Sequence, residues 1–330
     1  MHIGYAAMLE RFAPSEAVEL AALAESHGFR GVMAADHFQP WLPRHGQSAF
    51  VWSVLPAIAE HTTGDIGPGV TTPTYRWHPA MVAQASATMA AMYPGRHWLG
   101  IGSGEALNEH IVGRYWPEAP ERINRMFEAV DVIKKLFTAS AAGRDVRHSG
   151  PNFKLESTRL WTMPDTPPEI LVAAGGPVTA KRAGRTVDGL ITMDAPPERL
   201  ELLLARFAEG AREVGRDARR MPKVLQFHLS WAPTDEEALA NAMREWPIAG
   251  MRIGKGDIRS PFEFEQLARG VRPEDLADRL TISSDPDVHR AAIQRAFDLG
   301  FDRVYLHNVG RNQAEWLEVF GREVLPKVTR

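Results

Sequence analysis

The sequence predicts an α/β fold, a (β/α)8 TIM barrel in which the whole chain, residues 1–330, forms one domain. Eight short apolar runs alternate with segments of helical periodicity, and no linker-like stretch divides the chain. Several runs end in polar side chains, and a parallel barrel carries its active site at the C-terminal ends of its strands. An open, doubly wound sheet is the alternative, but residues 6–10 lack the Gly-rich fingerprint that should follow its first strand.

The predicted strands are apolar runs bounded by turn residues. They cover residues 3–7, 31–35, 65–72, 97–103, 169–174, 189–193, 223–231 and 303–308. The predicted helices have apolar residues at helical spacing, and several follow a proline or a capping residue such as Asp285. They cover residues 14–27, 51–60, 79–92, 121–137, 177–184, 198–214, 235–245, 285–300 and 314–328.

Two longer segments interrupt this alternation and are predicted to be insertions into the barrel. The first, about residues 139–168, breaks into short pieces that suit a small hairpin, and the second covers about residues 246–275. The third strand is unusual because Gly67, Pro68 and Gly69 lie within it. Gly and Pro inside a strand are expected at a bulge or where the backbone closely approaches a ligand. We therefore expect a bulge there, shaped around something flat.

The composition excludes several classes of protein. Lys and Arg number 38 against 41 Asp and Glu, so the net charge of -3 provides no overall basic field for nucleic acid or a membrane surface. The absence of Cys excludes disulfides, thiolate metal sites and a Cys nucleophile. No apolar run approaches the ~18 residues of a membrane span, and the N-terminus has no signal-like apolar core. We expect a cytoplasmic protein without nucleic-acid or membrane partners.

Two carboxylates and one imidazole are the candidates for acid–base chemistry. The second apolar run ends in Asp36 and His37, closely followed by Trp41. His37 exchanges a proton near neutral pH and suits a general base, although an Asp–His dipeptide is often only structural. Glu105 follows three closely spaced glycines that permit close backbone approach. Its alternative role is that of a carboxylate favoured by a helix dipole.

The segment Gly175-Gly176-Pro177-Val178-Thr179 follows the fifth strand and opens a helix. Free backbone N–H groups at such a position bind phosphate or another anion, and an ordinary strand-to-helix turn is the alternative. The sequence contains neither an H-E-x-x-H motif nor a G-x-S-x-G nucleophile elbow. No metal is expected.

Four motifs together resemble a known family, and the similarity covers nearly the whole chain. They are Asp36-His37-Phe38-Gln39-Pro40-Trp41, Thr72-Pro73-Thr74, Gly104-Glu105-Ala106-Leu107-Asn108-Glu109 and Ala173-Ala174-Gly175-Gly176-Pro177. In this order they resemble the deazaflavin-dependent glucose-6-phosphate dehydrogenases of the bacterial luciferase-like superfamily. The resemblance implies coenzyme F420 as hydride acceptor, a sugar phosphate as small-molecule substrate, and a homodimer.

The resemblance also implies a binding site for the coenzyme at the barrel mouth. The ring would lie against a bulged third strand with a non-proline cis peptide, which falls at Gly69-Val70 here. The residues implied to line the coenzyme, the last four at its phosphate-bearing tail, are Asp36, Thr72, Ser103, Gly104, Asn108, Gly175, Gly176, Val178 and Thr179.

By the same resemblance, His37 would take the proton from the C1 hydroxyl of the sugar while hydride leaves C1. Glu105 would act on the side of the deazaflavin ring that receives a proton. Trp41 and Glu10 match family positions near the reaction centre. The base and the hydride acceptor must face the same carbon, which requires tight positioning.

In the family, two lysines and an arginine hold the substrate phosphate. Lys255 and Arg279 match two of these positions, but Pro196 stands where the other lysine is expected. A lost charge-assisted contact costs on the order of 1–3 kcal/mol. An ordinary surface ion pair of Arg279 with Asp275 or Asp278 is the alternative to a phosphate contact.

The sequence therefore predicts an F420-dependent sugar-6-phosphate dehydrogenase, with three alternatives. The first is an F420-dependent dehydrogenase of an unphosphorylated secondary alcohol, which Met193 and Pro196 in the substrate region favour. The second is an FMN-dependent luciferase-like monooxygenase. The third is a catalytically silent cofactor-binding barrel, which is disfavoured because both predicted catalytic residues, His37 and Glu105, are present.

Overall fold

The computed structural model describes residues 1–329 and contains the predicted barrel. All eight predicted strands are present, several of them shorter than predicted. The strands in chain order are β1 (His2–Ala7), β2 (Gly31–Ala34), β3 (Asp65–Pro68), β4 (Leu99–Ile101), β5 (Val146–Ser149), β6 (Lys154–Thr158), β7 (Ile170–Ala173), β8 (Gly189–Met193), β9 (Lys223–Ser230), β10 (Thr281–Ile282) and β11 (Arg303–Asn308).

The barrel strands are joined by parallel pairing in the order β3, β2, β1, β11, β9, β8, β7 and β4. Two isolated bridges, Ile66 with His97 and Thr71 with Ile101, link the outer strands β3 and β4. At the second bridge, Thr71 N donates to Gly100 O and Gly102 N donates to Thr71 O, both at 2.9 Å. The regular ladder of β3 ends at Pro68, so the seam between β3 and β4 is the irregular part of the barrel wall.

The helices surround this sheet. Helices α4, α9 and α10 are short and were not predicted, since one or two turns give little periodicity to detect. In chain order the helices are α1 (Pro14–Ser26), α2 (Val51–His61), α3 (Pro79–Met92), α4 (Ala106–Glu109), α5 (Ala119–Ala141), α6 (Pro177–Thr186), α7 (Pro197–Glu213), α8 (Asp235–Glu245), α9 (Pro261–Ala268), α10 (Pro273–Leu276), α11 (Pro286–Asp298) and α12 (Gln313–Val319).

Several predicted helix ends were wrong, and α5, for example, covers residues 119–141 instead of 121–137. Helix α6 continues past Gly184, where a side-chain Cβ would lie 2.1 Å from the carbonyl oxygen of Phe207 on α7. This glycine therefore permits close helix packing and does not end the helix. The last predicted helix ends as an α-helix at Val319 and continues as a π turn over Phe320–Val324 and a 3-10 turn over Leu325–Lys327, which contains Pro326.

The barrel interior is filled below the C-terminal mouth by side chains from its strands. Because successive residues of a strand point to opposite faces, inward and outward positions alternate. The interior cluster consists of Ala6, Met33, Trp98, Leu171, Ile191, Val224 and Tyr305. Two larger clusters pack the outer face of the sheet against the helices. Burial on this scale is the dominant favourable term in folding.

Both segments predicted to be insertions have structure of their own. The first contains the antiparallel hairpin of β5 and β6, as predicted. The second contains α9, whose capping box joins Ser260 and Glu263, and α10. Within residues 1–329, no helix is both long and apolar enough to cross a membrane.

Candidate active site

The loop after β2 carries Asp36 and His37 to the barrel mouth. Asn108 fixes this loop, because its Oδ1 accepts hydrogen bonds from Phe38 N at 2.9 Å and Gln39 N at 3.1 Å. Asn108, which was predicted to line the coenzyme, thus also positions the loop that carries the predicted base His37. Its role toward a coenzyme remains a prediction.

His37 and Glu10 form a buried pair. The imidazole Nδ1 lies 2.5 Å from Glu10 Oε1, and the two side chains are 16% and 2% exposed. Burial disfavours the imidazolium, but the Glu10 carboxylate, together with Glu105 and Asp36, outweighs it, so that the pKa of His37 is raised. Burial likewise disfavours the carboxylate, and His37, together with a backbone hydrogen bond and His45, outweighs it, so that the pKa of Glu10 is lowered. A carboxylate only accepts, so in neutral His37 the proton lies on Nδ1 and Nε2 keeps its lone pair.

Trp41 belongs to an aromatic wall on one side of this pair. Its ring centroid lies 5.3 Å from that of His37, 5.2 Å from that of Phe264 and 6.1 Å from that of Trp246. All three contacts are edge-on, a favourable arrangement for aromatic rings. The second insertion therefore helps to form this wall of the mouth through Phe264 on α9.

Asp36 has protein partners of its own. Its Oδ2 accepts a hydrogen bond from Thr71 Oγ1 at 2.6 Å, and its Oδ1 lies 3.4 Å from Arg76 Nη1. Arg76 also donates through Nε to Glu109 Oε1 at 2.8 Å. Sequence reasoning missed Arg76, which has no motif around it. This buried network holds the bottom of the mouth between β2, β3 and α4.

The seam of β3 and β4 contains the predicted non-proline cis peptide, Gly69-Val70. Opposite it, Gly104 has φ +83°, and a Cβ there would lie 2.8 Å from Thr72 Cγ2. Only glycine suits that backbone and that approach. Thr72, Ser103 and Gly104 are thereby brought together at the seam, where a flat ligand was expected.

Glu105 and Lys255 lie close enough for their charges to act on each other, although they are distant in sequence. Ala106 N donates to Gly256 O at 2.9 Å, which ties the second insertion to the start of α4. Burial raises the pKa of Glu105, and the nearby His37 and Lys255 oppose that effect. Burial lowers the pKa of Lys255, and Glu105 opposes it. Glu105 precedes α4 without capping it through its side chain, so its carboxyl group is free for the mouth.

Arg279 is exposed and its charge acts on Lys255, which places the two cations near each other. Within residues 1–329, Arg279 forms no ion pair within 4.0 Å, and Asp275 pairs instead with Arg252 at 3.0 Å. Thus the alternative of a surface ion pair with Asp275 or Asp278 is not what the structure contains. On β8, Met193 is 60% exposed.

The N-terminus of α6 is open to solvent. Gly176 is its N-cap residue, Val178 is 76% exposed and Thr179 is buried. A Cβ at Gly175 or Gly176 would have no neighbour within 4 Å among residues 1–329, so neither glycine is required by packing. The helix presents unpaired N–H groups and the positive end of its dipole at this edge of the mouth.

A second polar cluster, absent from the sequence predictions, lies inside the mouth. Arg11 Nη2 lies 2.5 Å from His307 Nε2, and His307 Nδ1 lies 2.6 Å from His228 Nδ1. Arg11 Nη1 also donates to the carbonyl of Val309. Within residues 1–329, no group of three or more His, Asp or Glu is arranged to hold a metal ion.

The sequence pattern of the luciferase-like monooxygenase family matches residues 1–303. The chain belongs to the luciferase-like monooxygenase family. Among curated relatives, the F420-dependent glucose-6-phosphate dehydrogenase of Segniliparus rotundus is 38% identical over 330 residues, covering 99% of this chain and 97% of the relative. That of Mycobacterium avium is 38% identical over 335 residues, covering 100% and 98%. The resemblance stated from the four motifs is confirmed.

A solved structure with the same fold is an F420-dependent secondary alcohol dehydrogenase in complex with an F420-acetone adduct. It superposes with a TM-score of 0.93 and 32% sequence identity, covering 100% of this chain and 99% of that chain. The relatives thus include both a sugar-phosphate dehydrogenase and an alcohol dehydrogenase.

Proposed function

We propose that this protein is an F420-dependent dehydrogenase that oxidises the C1 hydroxyl of a hexose 6-phosphate, such as glucose 6-phosphate, to the lactone. The observation that carries the proposal is the meeting of a base, an acid and two cations at one mouth. These are His37 with Glu10, Glu105, and the pair Lys255 and Arg279. The names of the relatives support the same assignment.

The residues present fit the coenzyme. The cis peptide and Gly104 leave an irregular seam for a flat ring, and the start of α6 offers N–H groups to an anionic tail. Glu105 Oε2 is buried and has no hydrogen-bond partner within residues 1–329, as expected of a group that meets a ligand. Coenzyme F420, when bound, supplies a deazaflavin ring that accepts a hydride.

His37 would take the proton of the C1 hydroxyl on Nε2, the nitrogen that does not face Glu10. Glu10 stabilises the imidazolium that results, because its carboxylate stays ionised beside Nδ1. Trp41 limits the orientations of the imidazole from one side. Glu105, whose pKa is raised by burial, can hold a proton at the seam.

Lys255 and Arg279 would bind the substrate phosphate. They come from the second insertion and from the segment before β10, and the tie between Gly256 and Ala106 holds the former against the mouth. Among residues 1–329, no side-chain hydrogen bond or ion pair occupies the donors of Arg279, and a guanidinium matches a phosphate well. Phosphate at this position would also offset the mutual repulsion of the two cations.

A secondary alcohol dehydrogenase is the second candidate. Pro196 provides no charge where the family has a lysine, exposed Met193 lies nearby in sequence, and the alcohol dehydrogenase structure is similar over the whole chain. A panel of sugar phosphates and simple alcohols with oxidised F420 discriminates between the two. We expect loss of the visible F420 absorbance with glucose 6-phosphate, and bleaching with alcohols alone would contradict the proposal.

The phosphate contact has its own test. Arg279→Ala should raise KM for a sugar 6-phosphate by about 10-fold or more, since a charge-assisted contact contributes about 1.5–3 kcal/mol. Arg252→Ala is the matched control, because Arg252 lies in the same region but pairs with Asp275. Steady-state kinetics with glucose 6-phosphate and 2-propanol measure both variants. Equal effects of Arg279→Ala on the two substrates would exclude a phosphate contact.

Preference for F420 over FMN distinguishes the dehydrogenase from a monooxygenase. We propose that F420 binds much more tightly, because the anion site at α6 suits its charged tail. Titration followed by tryptophan fluorescence measures both affinities, and comparable or tighter FMN binding would favour the monooxygenase. The proposal includes a homodimer in the cytoplasm, and light scattering after size exclusion checks the dimer.

A further inference from the structure

The cluster of Arg11, His307 and His228 has a fixed direction. Arg11 donates only, since a guanidinium has no acceptor at any accessible pH. His307 Nε2, 2.5 Å from Arg11 Nη2, must therefore accept. The proton of neutral His307 is then on Nδ1, which donates to His228 Nδ1 at 2.6 Å. Neutral His228 is left with its proton on Nε2.

Both imidazoles are neutral in the folded protein. Burial and the positive charges of Lys255 and Arg11 lower the pKa of His228 to about 4. Burial, together with His228 and Arg11, lowers the pKa of His307 well below its usual value. The order of donors and acceptors therefore holds across the physiological pH range.

The Nε2–H of His228 faces the mouth. Val224 belongs to the interior cluster, and alternation along β9 places Gln226 and His228 on the same inward face. His228 is only half-buried, it senses the charge of Lys255, and its ring lies 5.3 Å from that of Trp246 in the aromatic wall. Within residues 1–329, the side-chain hydrogen bond of His228 is formed by Nδ1. Neither His228 Nε2 nor the side-chain amide of Gln226 is among the buried polar atoms without a partner, and both residues are only partly buried, so a ligand can reach them.

We propose that Arg11 and His307 fix His228 as a hydrogen-bond donor for a hydroxyl oxygen of the substrate, beside the amide of Gln226. This inference rests on the proposed function and defines its substrate class as one with hydroxyls beyond the reacting one. A simple secondary alcohol has no further oxygen to offer these donors. His228 is thus a specificity-determining residue for a sugar, and Arg11 and His307 are positioning residues.

The alternative is a buried histidine pair that serves packing alone. The contacts with Arg11 and His307 fix the same tautomer of His228 in both accounts. The two accounts therefore differ in whether the Nε2–H of His228 responds to the substrate. This response can be measured without turnover.

The first test is nuclear magnetic resonance of the protein labelled with nitrogen-15 in its 12 histidines. His228→Leu identifies the His228 signals by their loss. We expect the Nε2–H tautomer of His228 and a shift of its signal when glucose 6-phosphate is added, but not with 2-propanol. An Nδ1–H tautomer, a protonated ring at neutral pH, or an unmoved signal would overturn the proposal.

The second test compares KM for two substrates in three variants. His228→Leu removes the donor at similar size, and His228→Gln returns an N–H close to the position of Nε2. His289→Leu is the matched control, because His289 is buried on the outer helix α11 and bonds only to Ser283 O at 2.9 Å.

We expect His228→Leu to raise KM for glucose 6-phosphate about 5- to 10-fold more than KM for 2-propanol, the loss of a neutral hydrogen bond. Turnover should fall less than KM rises, His228→Gln should restore most of the difference, and His289→Leu should show none. Equal changes for both substrates would reduce His228 to packing. If none of the sugar phosphates causes loss of F420 absorbance with the wild type, the proposed function fails. The response of the His228 nitrogen-15 signal to glucose 6-phosphate still decides the role of His228.

Discussion

Two histidines at the same mouth, His37 and His228, are made chemically opposite by adjacent residues of one loop. Glu10 contacts His37 Nδ1, and Arg11 reaches His228 through His307. Glu10 accepts at Nδ1 of His37 and so leaves a lone pair on Nε2 of His37. Arg11 donates to His307, which in turn donates to Nδ1 of His228, and the proton of His228 is therefore on Nε2. The residue type of a second partner thus decides whether a histidine acts as a base or a donor.

The pKa shifts follow the same division. Both imidazoles are at least partly removed from water, which by itself favours the neutral form. Glu10 reverses that effect at His37, and the positive charges near His228 reinforce it. One histidine is therefore prepared to receive a proton and the other to keep its neutral state.

Of the variants at the two histidines, removal of the base should have the largest effect on turnover. His37→Ala should lower kcat by about 10²–10⁴-fold with nearly unchanged F420 affinity, because a proton acceptor is lost and no coenzyme contact is removed. Stopped-flow bleaching and fluorescence titration measure the two quantities. His61→Ala, an exposed histidine at the end of α2, is the control. Retention of most activity in His37→Ala would show that the base is another residue.

Neutralising Glu10, the acidic partner of His37, should lower turnover less than removal of His37 and should change the dependence of activity on pH. A base must be unprotonated, so activity falls as pH drops through the raised pKa of His37. In Glu10→Gln that acidic limb should move to lower pH, and kcat at neutral pH should fall by about 10-fold because the imidazolium loses its stabilising charge. The measurement is the pH profile of kcat/KM.

A double variant isolates the coupling of Glu10 and His37. In Glu10→Gln combined with His37→Ala, we expect no further loss beyond His37→Ala alone, since the two residues act as one unit. Independent, additive losses would mean that Glu10 acts on the substrate directly.

The position of the base His37 was predictable from the sequence, and that of the donor His228 was not. Asp36, His37 and Glu105 follow apolar runs that can only be strands, so their place at the C-terminal rim follows from the fold class. His228 lies in the middle of an apolar run. Strands of a barrel are covered on both faces, so the sequence does not reveal which residues point inward.

Long-range partners were also beyond sequence reasoning. Arg11 and His307 are 296 residues apart in the chain and meet because β1 and β11 are neighbours in the barrel. Lys255 and Arg279 were identified by resemblance alone, since their segments have no periodicity that places them at the mouth. The barrel order supplies the proximity that a linear pattern lacks.

The smallest expected effect is on stability, and it has opposite signs for the two histidines. The pKa of His228 is about 4 when folded against about 6.5 when unfolded, so the unfolded state binds a proton first and the wild type loses stability as pH falls below about 6.5. The pKa of His37 is raised, so its contribution is present below about pH 6.5 and is lost as pH rises through the folded pKa. Urea unfolding from pH 8 to 5 should therefore show that the stability difference between wild type and His228→Asn shrinks with acid, by about 1 kcal/mol after allowing for partial exposure. The difference between wild type and His37→Asn should grow over the same range. If the two stability differences changed with pH in the same direction, Glu10 and Arg11 would not have opposite effects on the two histidines.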